Sequence, residues 1–563
     1  MEKRVFLAIL LSFVVLAVYQ MVMPQPKPAP VAPAASAASA GATPAVAAAA
    51  DTAATPAQNQ APAAAALVAD RSARDIVVDT DDVRAVFTTQ GATLKSWKLK
   101  KYFEADGQPL DFVPSDLPES MPRAFSMSTS DAAISRTLAS ALFKPSADSL
   151  TLGSAPGQLT FEYRDAAGLN ARKTFYFQPE QKPYVLKVEA AIDLGGASKP
   201  VTISSGPALG LGYQPDGSRH VPVGAVHYID GKARHLTVSS LQKQPHYEGE
   251  MKFAGAADQY FLDAALPGTQ RVTVDYEPVS VAVPGATNNA QRGFVTYRVS
   301  VPGSMSMPFF LGPKDFNILR DVDPRLELVY TIDFGMFRII VVPLLTSLKW
   351  INGYIGNYGW SIVVLTIIIN LLIFPLRHRS MVSMKKMQAV QPEVKAIQDR
   401  YAKYKLTDPE RQKMNQEMMA LYKQKGVNPA SGCVPMLLTL PVLFAFYAML
   451  YGAIELRGAP FVGWIHDLSR HDPYYITPIM MGLSMFWQQR MMPTTADPIQ
   501  QKMFLLMPVI FTVSFLWAPA GLVVYWFSSN LLAIGQQYLT NRMIAAPARA
   551  SAPKRVGSGS TRA

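Results

Sequence analysis

The sequence predicts a polytopic α-helical membrane protein that carries a large exported all-β domain. The 563 residues are both apolar and basic, with 49% hydrophobic residues and a formal net charge of +12. The second half contains apolar blocks of the length that crosses a bilayer, whereas residues 70–312 alternate apolar and polar residues in short runs. Lysine and arginine are concentrated in particular loops, as is typical of membrane proteins with a fixed orientation.

Composition and motifs exclude several classes of function. Cys433 is the single cysteine, so no internal disulfide can form. The seven histidines are scattered, and neither a His-Glu-x-x-His pattern nor a Gly-x-x-x-x-Gly-Lys-Ser/Thr loop occurs. We therefore expect no metal, no cofactor, no catalytic residue and no nucleotide-driven motor, and hence a protein that is not an enzyme.

The N-terminal residues 1–23 are expected to form a signal anchor. A cationic start precedes the apolar residues 5–23, which would give about 28 Å of helix. A cleaved signal peptide is the alternative, but small-x-small cleavage sequences occur only well beyond this segment. Residues 24–69 are rich in alanine and proline and predict a disordered tether.

The alternating runs predict an exported β-domain over residues 70–318. Runs with a period of two, bounded by Gly, Pro and Asp, occur at 159–164, 173–177, 184–189, 271–276 and 294–301. This patterning is typical of a large antiparallel β-sandwich. No catalytic constellation is visible within it.

Residues 319–357 are expected to be a connector that contains an interfacial helix. The apolar run 336–350 is interrupted by Pro343 and carries Arg338 and Lys349. An amphipathic helix on the membrane surface fits this pattern better than a span does.

Residues 358–540 are predicted to form a five-span core, which makes six spans with the anchor. The candidate core spans are 358–376, 434–454, 474–488, 503–517 and 521–539. The third and fourth of these are short, which implies local bilayer thinning or shortened helices.

The distribution of charge predicts the orientation. Between residues 377 and 425 twelve basic residues stand against five acidic ones, and the tail 541–563 has five basic residues and no acid. By the positive-inside rule, this segment and both termini face the cytoplasm, so the β-domain lies outside.

The cytoplasmic segment 377–428 predicts a helical hairpin with a methionine-rich stripe on each arm. Met384 and Met387 belong to the first arm, and Met414 and Met418 to the second. Ordinary packing of the two arms is one interpretation. Contact with varied apolar partners is the other, since methionine adapts its shape. The basic faces are either solvated or a surface for ribosomal RNA or anionic lipid.

Polar residues inside the spans are costly in a bilayer and are therefore the more specific signal. Thr366 and Asn370 lie four residues apart on one face of the first core span, and Arg377 continues that face towards the cytoplasm. The last span contains Ser528, Ser529, Asn530 and Gln536. Interhelical hydrogen bonding and a hydrated cavity both explain these residues. The absence of Asp and Glu within the six predicted spans disfavours a proton- or cation-coupled transporter.

Short sequences in the second half closely resemble the YidC membrane protein insertases of Gram-negative bacteria, in the YidC/Oxa/Alb family. They are QEMMALY at 416–422, NPASGCVP at 428–435, WIHDLS at 464–469, DPYY at 472–475, PTT at 493–495, MPVIF at 507–511 and GLVVY at 521–525. The resemblance covers residues 336–540. The anchor, the tether and the β-domain match the long Gram-negative form more loosely.

The resemblance implies a hydrophilic groove that is open to the cytoplasm and to lipid and closed to the outside. It also implies that the exported domain is a β-supersandwich, a fold similar to sugar-binding domains. By this resemblance Thr366, Asn370 and Arg377 hydrate the groove, the methionine-rich hairpin receives the substrate, and Tyr525 and Trp526 form part of an apolar slide.

The sequence departs from the family pattern at two of these positions. Asn370 occupies the place of a groove arginine that is thought to attract acidic residues of the substrate. Either Arg377 or Arg379 supplies the charge instead, or the charge is dispensable in this protein. Tyr525 matches a substrate-contact position, whereas Trp526 stands where the family often has Tyr or Phe.

We therefore expect an insertase and chaperone of the bacterial inner membrane that passes nascent hydrophobic segments into lipid. The expected partners are nascent membrane proteins, the lipid bilayer, the Sec translocon and the ribosome, and not DNA. A solute transporter or flippase with a periplasmic ligand-binding domain is the main alternative, and an envelope-binding module on a structural anchor is a third. The lack of acids and of an internal repeat in the spans disfavours the transporter, and the basic hairpin disfavours the structural module.

Overall fold

The computed structural model describes residues 65–104, 107–114, 121–207, 223–282, 291–404, 408–427, 434–491 and 498–550. The predicted signal anchor, most of the tether, the end of the basic tail and Cys433 lie outside the described residues. By its internal contacts the described chain divides into two units, one containing residues 390–427 and the other containing the rest.

The strands between residues 66 and 313 form two sheets. They are β1 (Ala66–Val68), β2 (Asp75–Thr80), β3 (Val83–Thr88), β4 (Thr93–Phe103), β5 (Pro109–Asp111), β6 (Ser126–Ser128), β7 (Lys144–Pro145), β8 (Ser149–Gly153), β9 (Gly157–Asp165), β10 (Leu169–Phe177), β11 (Val185–Leu194), β12 (Ala197–Ser198), β13 (Val201–Ser204), β14 (Gly224–Ile229), β15 (Lys232–Leu236), β16 (His246–Ala257), β17 (Phe261–Ala265), β18 (Arg271–Ala282), β19 (Gln291–Val301) and β20 (Met305–Pro313).

The larger sheet has the main strand order β1-β9-β10-β11-β20-β17-β16-β18-β19-β13-β6, and the smaller has the order β5-β4-β3-β2-β8. Strand β16 belongs to both halves of the larger sheet, because His246–Glu250 pair with β18 whereas Ala254–Ala257 pair with β17. A strand that continues from one set of partners to the next allows one sheet to fold over a shared core.

Two details differ from the sequence prediction. Residues 66–68, which the composition assigned to the tether, form β1 and pair with β9, so the ordered β-domain begins before residue 70. The β2–β8 pair is parallel, in a domain that was predicted to be antiparallel. The sequence pattern of a strand does not identify the strand it pairs with, because packing across the domain decides the pairing.

Aromatic side chains from both sheets fill the core. Phe87 of β3 lies 4.6 Å from Phe175 of β10 between ring centroids, and Phe125 contacts both Phe175 and Phe309. The indole nitrogen of Trp97 in β4 donates to the Leu311 carbonyl of β20 at 3.0 Å. The two sheets are therefore held together by apolar burial and by a buried hydrogen bond.

Lys173 and Asp263 are two of the ionisable residues in this core. Lys173 is fully buried and its Nζ donates to the carbonyl oxygens of Gly91, Ala92 and Phe125, at 3.2, 2.9 and 2.7 Å. Burial lowers the pKa of Lys173 to about 7. Asp263 accepts a hydrogen bond of 2.8 Å from the Tyr297 hydroxyl, and burial raises the pKa of its carboxyl to about 7.

The remaining chain is mostly helical. The described helices are α1 (Ala132–Ser140), α2 (Val238–Lys243), α3 (Phe316–Val322), α4 (Glu327–Thr331), α5 (Arg338–Ile355), α6 (Tyr358–Arg400), α7 (Pro409–Gln424), α8 (Val434–Gly452), α9 (Ile476–Met491), α10 (Pro498–Phe515) and α11 (Ala520–Ala550).

Helix α5, at the predicted interfacial segment, has one buried and one exposed face. The buried side chains are Val341, Leu344, Leu345, Leu348 and Ile351. The large exposed apolar side chains are Ile339, Trp350, Tyr354 and Ile355. Arg338, at the start of the helix, donates to Glu327 of α4 at 2.9 Å.

Helix α6 differs from the sequence expectation because it does not end after the first core span. It continues without interruption from Tyr358 to Arg400, so the span and the first arm of the predicted hairpin are one helix. Pro375 lies within it and leaves one backbone carbonyl of the preceding turn without its usual donor. At Arg377 the sequence changes from apolar to charged residues, but the helical backbone continues.

Within the described residues, α6 is the one helix whose length and composition suffice to cross a membrane. The apolar segments Pro441–Gly452 of α8 and Leu505–Phe515 of α10 are shorter. The number of spans therefore stays a prediction.

The buried Asp263 predicts how stability changes with pH. Its folded-state pKa of about 7 exceeds the unfolded value of 3.8, so the stabilisation it contributes is complete below about pH 4 and is lost as the pH rises through about 7. Asp263→Asn keeps an acceptor for Tyr297 and cannot ionise. We expect this variant to be more stable than the unchanged protein by about 2 to 4 kcal/mol at about pH 8 and by little at about pH 4.

Thermal unfolding of the full chain in detergent, followed by circular dichroism, measures this difference. Asp81→Asn, which removes a carboxyl from an exposed position of the same domain, is the matched control. The same gain for Asp263→Asn at both pH values would contradict the assignment.

Candidate functional site

A row of polar side chains runs along one face of α6. The Thr366 hydroxyl donates to the Ile362 carbonyl at 2.7 Å, and the Asn370 amide nitrogen donates to the Thr366 carbonyl at 2.8 Å. Arg377 Nη1 donates to Asn370 Oδ1, also at 2.7 Å. Thr366 and Asn370 are buried and Arg377 is half-buried, so the three residues predicted from their spacing form one hydrogen-bonded row.

This row places a guanidinium beside residue 370, although residue 370 itself is neutral. Arg377 lies two helical turns further along, and its long side chain reaches back to the amide. Arg379, the other candidate source of charge, is exposed. Of the two arginines, Arg377 is therefore the one that contacts Asn370.

The two aromatic residues predicted for the slide point to different neighbours. Tyr525 of α11 is buried and stacks on Phe446 of α8, with ring centroids 4.1 Å apart and planes at 12°. Trp526 is half-buried and packs on Phe511 and Phe515 of α10, at 5.4 and 5.0 Å. Both contacts are packing between helices in this structure.

One face of α11 is joined to α6 by polar contacts. Gln536 Nε2 donates to the Phe374 carbonyl at 3.3 Å, and Thr540 Oγ1 lies 3.2 Å from His378 Nδ1. Gln536 and Thr540 are four residues apart, so they project from the same side of the helix. The polar face of α6 therefore continues into a polar contact with α11 near Arg377.

A second face of α11 is directed towards α9. Asn530 Nδ2 donates to the Ser484 hydroxyl at 3.0 Å, and Gln537 Nε2 donates to the carbonyl of Met491. Met491 is the last residue of α9, so this amide satisfies a carbonyl that the helix itself cannot pair. The seven-residue spacing of Asn530 and Gln537 keeps both on this face.

The sequence did not single out His378, Gln537 or Thr540. Thr540 is fully buried and Gln537 is 4% exposed, although both lie near the basic tail. Their helical spacing from Gln536 and Asn530 was the available signal, because a buried polar stripe repeats every three or four residues.

The hairpin methionines do not share one environment. Met414 is buried and Met418 is half-buried in the unit formed by residues 390–427. In that unit the arms are joined by an ion pair between Lys425 and Glu393 at 2.6 Å and by a hydrogen bond from Tyr401 to Glu417 at 2.7 Å. Met384 and Met387 are half-buried and belong to the other unit.

Asp472 organises the segment between α8 and α9. Its carboxylate accepts hydrogen bonds from the Trp464 indole, from the backbone of Tyr474, and from the backbone and hydroxyl of Thr477, all between 2.8 and 2.9 Å. Burial acts to raise the pKa of Asp472, but the bonds from Thr477 and Tyr474 outweigh it and hold the pKa below its usual value. Parts of two family-like motifs, at 464–469 and 472–475, thus build the start of α9.

The segment after α8 also meets the β-domain. The Lys349 ammonium of α5 lies 2.8 Å from Asp315 Oδ2, after the last strand, and 3.0 Å from Glu455 Oε1, after α8. Gln259 donates to the Tyr451 carbonyl at 2.6 Å, and Arg457 donates to the Phe103 carbonyl at 3.1 Å. These contacts lie within one unit of the chain.

The chemistry of these residues is that of polar contact and not of bond making. Within the described residues, no group of three or more His, Cys, Asp or Glu side chains is arranged to hold a metal ion. The polar row of α6 offers amide, hydroxyl and guanidinium groups, which can hydrogen-bond a passing backbone or a carboxylate.

The Asn370–Arg377 contact predicts a difference between two substitutions. Asn370→Leu removes the acceptor of a half-buried guanidinium and should lower the free energy of unfolding by about 1 to 3 kcal/mol. Asn370→Asp keeps the acceptor and adds an opposite charge, so it should lose less. Thermal unfolding of the full chain in detergent compares them, with the exposed Leu372→Ala as a control. Equal unfolding temperatures for the Leu and Asp variants would show that the contact contributes nothing.

The sequence of this chain matches two protein families and many curated relatives. The family described as "60Kd inner membrane protein" matches residues 350–547, and the family described as "YidC periplasmic domain" matches residues 75–347. The membrane protein insertase YidC of Geobacter metallireducens is 37% identical over 564 residues, which cover 97% of this chain and 99% of the relative. That of Geotalea daltonii is 38% identical over 567 residues, covering 97% and 100%.

A solved structure, the active YidC insertase with its first transmembrane domain resolved, is 18% identical, with a TM-score of 0.34 and coverage of 84% of this chain and 95% of that one. The assignment rests on the sequence matches, since they span nearly the whole chain at more than a third identity. With its β-rich periplasmic domain and its helical membrane region, this chain belongs to the YidC family of membrane protein insertases.

Proposed function

We propose that this protein inserts hydrophobic segments of nascent membrane proteins into the inner membrane, through the polar face of α6. The observation that carries the proposal is the row of Thr366, Asn370 and Arg377, which puts hydrogen-bonding groups into the apolar part of α6 and a positive charge at its end. The named relatives are membrane protein insertases, which supports the same role here.

The physical task is to move short polar ends past hydrocarbon. A hydrated face part-way into the bilayer shortens the dry distance that such an end must cross. No fuel is needed from this chain, because each apolar residue of the substrate gains roughly 0.3 to 0.6 kcal/mol on insertion, or about 6 to 12 kcal/mol over ~20 residues. That free energy drives the segment sideways into lipid.

The proposed topology has six spans, with both termini and residues 377–428 in the cytoplasm. The anchor 1–23 would supply the first span and residues 358–540 the other five. The twelve basic residues between 377 and 425 support this orientation. Helix α5 would lie at the outer surface, with Ile339, Trp350 and Tyr354 towards lipid.

We assign roles to the other predicted site residues from their positions in the chain. The methionines of the hairpin (Met384, Met387, Met414 and Met418) would receive the apolar segment. Tyr525 and Trp526 would guide it as it leaves the polar face, and the half-buried Trp526 is the more accessible of the two. The Sec translocon and, through the basic hairpin and tail, the ribosome are the proposed partners.

Reconstitution tests the central claim. The purified chain in liposomes should insert a single-span substrate with a short polar tail without ATP, several-fold more than protein-free liposomes do. Protease protection of the substrate measures insertion. Equal protection in empty liposomes would overturn the proposal.

The role of the positive charge beside residue 370 can be tested separately. Arg377→Ala should reduce insertion about tenfold, because it removes the guanidinium beside Asn370, whereas Arg379→Ala at an exposed position should change it little. The double change Asn370→Arg with Arg377→Ala returns a positive charge to the same place and should restore insertion. The liposome assay compares all three. Full activity of Arg377→Ala, or no rescue by the double change, would contradict the role of the charge.

A further inference from the structure

The smaller sheet of the periplasmic domain carries a concave, positively charged surface, here called the basic cleft. It has a volume of about 800 Å³ and lies over β3, β4 and β5 and the loop before β6. Its cationic side chains are Arg84, Lys95, Lys98, Lys100 and Arg123. Its acidic side chains are Asp75 and Asp111.

The acids of the basic cleft are already engaged. Asp75 pairs with Lys95 at 2.7 Å. Asp111 accepts from the Ser96 hydroxyl at 2.5 Å and from the backbone nitrogens of Trp97 and Val113 at 2.9 and 3.1 Å. These bonds hold β5 against β4, so Asp111 serves the fold of this edge.

Three cations of the basic cleft have no such partner. Lys100 pairs with Asp79 at 2.8 Å, but Arg84, Lys98 and Arg123 form no ion pair or side-chain hydrogen bond with the part of the chain that the structure describes. All three are exposed. The basic cleft therefore has positive charge that the described residues do not neutralise.

The register of the sheet places four charged residues in one row across β2, β3, β4 and β5. Arg84 of β3 is directly opposite Lys98 of β4, so two like charges project from the same face at neighbouring positions. Such a cross-strand pair destabilises a sheet by a few tenths to about 1 kcal/mol. Asp79 of β2 is opposite Arg84, and Asp111 of β5 is opposite Lys98. Asp79 pairs with Lys100, and Asp111 is bonded to the backbone of β4. An anionic ligand between Arg84 and Lys98 would therefore still convert their repulsion into attraction.

The walls of the cleft indicate what kind of anion fits. Half-buried Val86 and Met121 and the prolines at 109, 114, 122 and 207 add an apolar and rigid lining to the charges. The free cations come from two strands and a loop and do not surround one point. A ligand with several acids separated by apolar groups, such as a stretch of polypeptide, matches this surface better than a single phosphate does.

We infer that the basic cleft binds acidic, extended segments of the polypeptides that this protein delivers to the periplasmic side. This inference rests on the proposed function. The positive-inside rule keeps lysine- and arginine-rich segments in the cytoplasm, while acidic residues oppose crossing far less. The segments that emerge outside are therefore poor in positive charge, and the acidic ones among them complement Arg84, Lys98 and Arg123.

Peptide binding to the full chain in phosphatidylcholine nanodiscs tests the inference. One labelled peptide alternates Asp and Glu with valine, and a second replaces the acids with Asn and Gln. Fluorescence anisotropy should show binding at least about tenfold tighter for the acidic peptide, weakening as salt is added. Equal affinity of the two peptides would overturn the inference.

Matched variants locate the binding. Arg84→Gln with Lys98→Gln should weaken binding of the acidic peptide about tenfold, and Arg123→Gln, in a loop, should weaken it several-fold without altering a strand. Lys144→Gln with Lys232→Gln removes the same charge from exposed positions outside the cleft and should leave affinity unchanged. Equal weakening by both double variants would mean non-specific attraction and would overturn the inference.

Three further outcomes separate the alternatives. If phosphatidylglycerol vesicles displace the peptide, and vesicle binding is lost in the Arg84→Gln, Lys98→Gln variant, the cleft is a lipid site and the inference fails. If the unchanged protein inserts its substrate into liposomes but binds no acidic peptide, the inference fails and the proposed function stands. If it binds the peptide at the cleft and inserts nothing, the proposed function fails. The inference that the bound segments are ones this protein delivers then fails as well.

Discussion

The ammonium group of Lys349 joins three parts of the chain that are distant in sequence. It belongs to α5 and lies between Asp315, at the end of the β-domain, and Glu455, after α8. Burial acts to lower the pKa of Lys349, but the two carboxylates outweigh it and raise the pKa, so the charge is retained. Breaking a buried ion pair by removing one partner is costly, about 3 to 5 kcal/mol. The position of each of the three segments therefore depends on the other two.

The division of the chain could be predicted because it follows from local patterns. Alternation at 159–164 and 173–177 marked β9 and β10, whose side chains face a core on one side. The pairing of β1 with β9 and the parallel β2–β8 pair could not be predicted, since the partner of a short strand is chosen by contacts across the domain. The continuity of α6 through Arg377 was not predicted. A change from apolar to charged residues indicates that the surroundings of a helix change, and it does not mark where the helix ends.

The polar row of α6 was predictable from spacing because all three of its members belong to one helix. Residues at i, i+4 and i+11 of a helix share a face, which fixed Thr366, Asn370 and Arg377 before any neighbour was known. The contacts of α11 were harder to predict from the sequence, because Gln536 and Gln537 are adjacent but contact α6 and α9 respectively. Only the packing of three helices decides which of two neighbouring amides faces which partner.

The uninterrupted course of α6 has a mechanical consequence. From Asn370 to Arg400 the helix extends about 45 Å at 1.5 Å per residue, without a loop that could act as a joint. Two prolines, Pro375 and Pro392, lie in this helix, and each leaves one backbone carbonyl of the preceding turn without its usual donor. A helix bends most readily at such a position, and Pro375 lies between Asn370 and Arg377. A bend at Pro375 would therefore change the distance between the Arg377 guanidinium and the Asn370 amide, so the polar row of α6 can open or close without any change in its residues.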